Sequence, residues 1–160
     1  MKIYFMKPSY LLYAILVFSI FACKGKKYND FGNEILEDKI SYLQANDPGC
    51  KGAVLKLVLS SQKVQSLLSS VDETVKKNGG TGHGFVLDAS PHPQADGITK
   101  ESDKYEFSVH EIFPDMHSVV AQFSYNPVKK ELYQFGPLNN VNTIIDYDTS
   151  FLRNIARACQ

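Results

Sequence analysis

The chain has 160 residues, 17 basic against 17 acidic side chains, and therefore no net charge at neutral pH. That length suits one domain rather than two, and the balanced charge gives no electrostatic reason to expect a nucleic-acid partner. Nine tyrosines and ten phenylalanines without a tryptophan suit a core built on a β-sheet face.

The chain opens with Lys2 and Lys7 and no acid, then runs uncharged from Leu11 to Ala22. A basic start followed by a short apolar run is the pattern of a secretory signal. The uncharged stretch between Lys7 and Lys24 falls short of the roughly 20 apolar residues a membrane helix needs. Ile20-Phe21-Ala22-Cys23 resembles the bacterial lipobox, with an aliphatic residue three before the cysteine and a small residue directly before it; Phe21 is bulkier than that pattern prefers. The resemblance covers residues 1–23 and implies that Cys23 takes diacylglycerol on its thiol and heads the mature chain. The expected address is the bacterial cell envelope, lipid-anchored to the inner or outer membrane, with the domain outside the cytoplasm. An ordinary cleaved signal with Cys23 incidental is the alternative. Residues 23–34, with Lys24, Lys26, Lys27 and two glycines, read as a flexible tether. Its lysines either meet anionic headgroups or are simply solvated. Loss of residues 1–22 removes two lysines, leaving 15 basic against 17 acidic residues, a net charge of −2.

With Cys23 committed to lipid, Cys50 and Cys159 remain. Disulfides persist in exported proteins, so one bridge between these two is expected, with two free thiols as the alternative.

Residues 35–160 are expected to form a single α+β domain. Glu34–Gln44 spaces Ile35, Leu36, Ile40 and Leu43 as a short amphipathic helix, ended by Asn46–Cys50. Ala53–Leu59 is apolar enough for a helical turn or a strand. Ser60–Lys77 predicts the longest helix: Val64, Leu67, Leu68, Val71 and Val75 share a face, Ser60 or Ser61 supplies a capping oxygen, and Asn78-Gly79-Gly80 stops it. The period then changes to two. Strands are predicted over His83–Asp88, Lys104–Phe113, Ser118–Tyr125 and Glu131–Phe135, with a short one over Thr143–Tyr147. Tyr105, Phe107 and Val109 are assigned to one face and Glu106, Ser108 and His110 to the other; Val119, Ala121, Phe123 and Tyr125 are expected inside. A final helix follows, capped by Asp148 or Thr149 and ending at Cys159. The expected architecture is a long helix packed on an antiparallel meander, with short N- and C-terminal helices. Over Ser60 to about Phe135 this order resembles the cystatin-like and NTF2-like scaffolds, without the inhibitor loop of true cystatins.

No motif identifies a reaction. Gly79–Gly84 follows a helix and opens a strand, the reverse of a phosphate loop, and lacks its Lys-Ser/Thr pair. His83, His92, His110 and His117 show no metal-ligand spacing, and no serine stands in a nucleophile elbow. No metal or other cofactor is expected. The expectation is a non-enzymatic binding or interaction module that meets the membrane through its lipid and an envelope or exported protein through its loops. His110, Phe113, Asp115, His117 and the loop Ser90–Ser102 are the candidate surface. An envelope hydrolase, a metal-dependent factor and a passive structural lipoprotein are the other classes.

Overall fold

The computed structural model describes residues 41–136 and 141–160. The expected signal 1–22, Cys23, the tether 23–34 and the helix expected over Glu34–Gln44, up to residue 40, lie outside the described residues. Residues 41–44 are not helical: Leu43 forms an isolated antiparallel bridge with Phe85, its N–H donating to Phe85 O at 2.7 Å.

Four helices follow: α1 (Gly49–Leu59), α2 (Gln62–Lys77), a four-residue α3 (Pro93–Asp96) and α4 (Leu152–Ala158), the last preceded by a 3-10 turn at Thr149–Phe151. Residues 46–50 therefore start a helix instead of ending one, with Pro48 at the N-cap in extended conformation. Proline's fixed φ and missing N–H are compatible with that boundary. Helix α1 resolves the Ala53–Leu59 ambiguity. It buries Cys50, Gly52, Val54, Leu55, Leu57 and Val58, because a helix apolar nearly all round stabilises the fold only inside a core.

Helix α2 matches its predicted span. Val64, Leu68 and Val75 are buried, and Lys76 and Lys77 occupy its last turn. Its end is a left-handed glycine cap: Gly79 has φ +86°, Gly80 N–H reaches Val75 O at 2.8 Å and Gly79 N–H reaches Lys76 O at 3.2 Å. Its start differs from expectation. Ser61 holds the N-cap position, but its hydroxyl is buried without a partner. Ser60 Oγ instead donates to Leu57 O (2.7 Å) and accepts from Asp148 N–H (3.0 Å), so it joins the α1–α2 turn to the C-terminal segment.

Strands β1 (Gly82–Ala89), β2 (Tyr105–Ile112), β3 (His117–Asn126), β4 (Glu131–Gly136) and β5 (Val141–Ile145) form one antiparallel sheet in sequence order. The protein is thus α+β with a five-stranded meander and helices over one face. Phe85, Leu87, Tyr105, Phe107, Val109, Phe123, Tyr125, Leu132 and Ile145 face the helices and join α1, Val64, Leu68 and Ile155 in one core. Each such aliphatic or aromatic side chain stabilises the fold by ~1.5–3 kcal/mol through burial. The cover is shared: α1 and α4 pack together on part of the sheet while α2 lies on β1 and β2.

Two bulges break the strict alternation. Leu87 pairs with Phe107 and Ala89 with Glu106, leaving Asp88 as the extra residue of β1. Val109 pairs with Ala121 and His110 with Val119, leaving Val120 as the extra residue of β3. A one-residue shift sends side chains to the opposite face. Val119, expected inside, therefore stands outside beside His110 and is 53% exposed.

Cys50 and Cys159 form a disulfide, with Cα atoms 4.6 Å apart. The bridge ties the first turn of α1 to the end of α4. Tyr105 donates its hydroxyl to Cys50 Sγ at 2.7 Å. Asp148 caps the final helical segment, its Oδ1 accepting from Ser150 N–H at 2.9 Å.

Candidate functional site

The face of the sheet turned away from α1, α2 and α4 carries an open cleft of about 600 Å³. All five strands contribute: Asp88 from β1, Glu106, Ser108 and His110 from β2, Val119, Gln122 and Ser124 from β3, Phe135 from β4 and Asn142 from β5. Lys100 and Lys104 border it from the segment before β2. The β1 bulge lies opposite Glu106–Phe107 and the β3 bulge opposite Val109–His110; the second brings Val119 onto the face that Asp88 and His110 share.

At its centre Asp88, Ser108 and His110 form a chain. Ser108 Oγ donates to Asp88 Oδ1 at 3.1 Å, and Ser108 Oγ and His110 Nε2 are 2.9 Å apart. Ser108 is only 2% exposed. Burial raises the Asp88 carboxyl above its ordinary range, opposed by the Ser108 hydrogen bond and by the charges of His110 and Lys100. Burial lowers the His110 imidazole, opposed by Asp88 and reinforced by His117. Glu106 is held by Ser102 Oγ (2.8 Å) and Lys100 Nζ (3.3 Å). Lys104 Nζ lies 5.4 Å from the centre of the Tyr133 ring, within cation–π range.

Of the residues singled out from sequence, His110 lines the cleft. His117, at the start of β3, meets it through Tyr42, whose hydroxyl is 2.8 Å from His117 Nδ1. Phe113 and Asp115 stand apart: Phe113 turns toward Gly80 at the foot of the β2–β3 hairpin, and Asp115 is exposed in the turn. The Ser90–Ser102 loop contributes Lys100. Elsewhere it folds on itself through a Ser90–Glu101 bridge and α3, where Lys51 Nζ donates to Asp96 O at 2.9 Å. Sequence reasoning placed Glu106 and Ser108 on the His110 face without assigning them a role. It missed Gln122 and Tyr42, whose positions depend on register and on a bridge between distant residues.

The other histidines are separate from the cleft. His83 Nδ1 pairs with Asp72 Oδ1 at 2.6 Å across the α2–β1 junction, and His92 is the N-cap of α3. Among the described residues, no three His, Cys, Asp or Glu side chains gather as a metal site, and no helix is long and apolar enough to cross a membrane. Comparison of the chain with protein-family models, with curated proteins and with solved structures gives no match.

Proposed function

We propose that this protein is a lipid-anchored component of the bacterial envelope whose domain binds a polar segment of an exported or envelope protein in the sheet-face cleft. The observation that carries the binding role is the cleft itself, an open, mixed-charge depression on a rigid five-stranded sheet. It has hydrogen-bonding side chains from β1, β2, β3 and β5 and apolar residues at its rim, including Val119 and, from β4, Phe135. Such a surface offers orientation through polar contacts and burial through its rim. The anchor is supported by the lipobox-like Ile20–Cys23. A cystatin-like relation of helix to sheet is supported by α2 lying across β1 and β2 ahead of the meander.

In-cell photocrosslinking tests the reading. A photoreactive residue at Gln122 is expected to give a discrete adduct, and one at Lys63, exposed on α2, is not. No adduct at Gln122, or the same adducts at both positions, overturns it. Intact mass of membrane-extracted protein tests the anchor: the expected chain starts at an acylated Cys23.

A hydrolase is the second reading, favoured by the convergence of His110, Asp88 and Glu106 on one cleft. The local geometry weighs against it. Among the described residues the hydroxyl bonded to His110 is that of Ser108, which is buried and already gives its proton to Asp88, so it neither faces a substrate nor has its proton drawn off by the imidazole.

A further inference from the structure

The described residues begin with a strap, Ser41–Gln44. Leu43 plugs into the core, so its neighbour Tyr42 falls on the opposite, cleft-bearing face. The Tyr42 ring lies on Gly84, where any Cβ would collide with it. His110, opposite Gly84 in register, meets the ring edge-on at 6.3 Å between centroids. His117 sits 6.0 Å away by the same measure and bonds the hydroxyl. Two histidines therefore flank one strap residue.

Hydrogen-bond arithmetic fixes the neutral form of His110. Ser108 has one hydroxyl proton and gives it to Asp88. The Ser108–His110 contact must then be Nε2–H donating to Ser108 Oγ, which leaves the lone pair on Nδ1. That Nδ1 is buried and has no partner. A second proton has only this nitrogen to occupy, and with Tyr42 seated the new N–H finds no acceptor. Among the described residues the titratable groups facing His110 are Asp88 on β1, His117 on β3 and Tyr42 on the strap. Asp88 is the only acid among them, and it is reached through Ser108 rather than directly.

We propose that Ser41–Gln44 is an acid-released strap, seated on the sheet at neutral pH and freed when His110 takes a proton, because lifting Tyr42 admits water to Nδ1. His117 anchors the strap without triggering it: the phenol donates to a bare Nδ1, and a protonated Nδ1 can donate back to the phenol oxygen. Linkage requires the reciprocal effect, that removing Tyr42 makes His110 easier to protonate. Taking an ordinary imidazole pKa of ~6.5 for the open state, and a closed state that refuses the proton, opening at pH 5 is favoured ~30-fold over opening at neutral pH.

Amide hydrogen exchange on the full chain in detergent micelles reads this through Leu43, whose N–H is bonded to Phe85 O. Corrected for the intrinsic rate, Leu43 protection is expected to fall ~30-fold between pH 7.5 and pH 5. The amides of Phe107 and Val109 should hold over the same interval. His110→Gln should abolish the fall, whereas His117→Gln should lower protection at both pH values and keep the ratio. In a separate titration followed by ring resonances, Tyr42→Ala should raise the His110 pKa. An equal fall in wild type and His110→Gln, or an unmoved His110 titration in Tyr42→Ala, overturns the proposal. The second result stands even if His110→Gln fails to fold.

Discussion

The two faces of the sheet are made by the same strands and carry opposite chemistry. Along β2, Tyr105, Phe107 and Val109 are sealed beneath the helices, while Glu106, Ser108 and His110 line the open cleft between them. On the inner face, position is fixed by volume: each side chain fills space that no neighbour can vacate. On the outer face, position is fixed by hydrogen bonds and by two bulges, because among the described residues no second layer presses against it. Stability is therefore concentrated on one side of a sheet and the cleft proposed for binding on the other, separated by the thickness of one backbone.

The sharpest way to break that contrast is to truncate adjacent residues of β2. Phe107→Ala should cost ~3–5 kcal/mol in urea unfolding, the usual range for a buried phenylalanine. Ser108→Ala, next in sequence and equally buried, should cost ~1 kcal/mol, the net value of a hydrogen bond. Equal costs would mean that the outer face is as tightly constrained as the core.

Cys159→Ser comes next. It opens the loop closed by the disulfide and should cost ~2–4 kcal/mol, read as a lower denaturation midpoint with an unchanged cleft. The native bridge spans a sequence separation of 109 residues, so the denatured chain gains most of the freedom it lacked.

The smallest effect is in pH dependence. Native His110 holds its proton less tightly than the unfolded chain does, so the unfolded state binds more protons and stability rises with pH through the interval below the ordinary imidazole value. Native Asp88 holds its proton more tightly, so its contribution has the opposite sign and falls with pH above the ordinary carboxylate value. His110→Gln should remove the first slope and leave the second, by urea midpoints taken from pH 4 to pH 8. A slope that survives His110→Gln would assign it to another group.

Much of the inner face was legible because burial enforces periodicity. The α2 stripe, the Tyr105–Phe107–Val109 alternation and the stop at Gly79 all follow from local rules, and the pairing of Cys50 with Cys159 followed from counting cysteines. What escaped depends on long-range register. Ser118-Val119-Val120-Ala121 gives no local sign that Val120 is bulged, so Val119 was placed on the wrong face. Pro48-Gly49 reads as a stop when its neighbours are ignored and as a start once the apolar α1 has a core to enter. The cleft was half visible: His110 and its polar neighbours on β2 were grouped correctly. Asp88 and Tyr42 reach them only through pairings between distant parts of the chain.

The disulfide also has a mechanical consequence. Everything from Cys50 to Cys159 lies inside one covalent ring. Tension applied along the chain from its N-terminal side can peel the strap, Tyr42 and Leu43 first, and then straighten the residues up to Cys50. There the load passes across the sulfur bridge, and no part of the sheet lies in the line of pull. A domain hauled by its leading end would give up a few residues of slack and keep its shape.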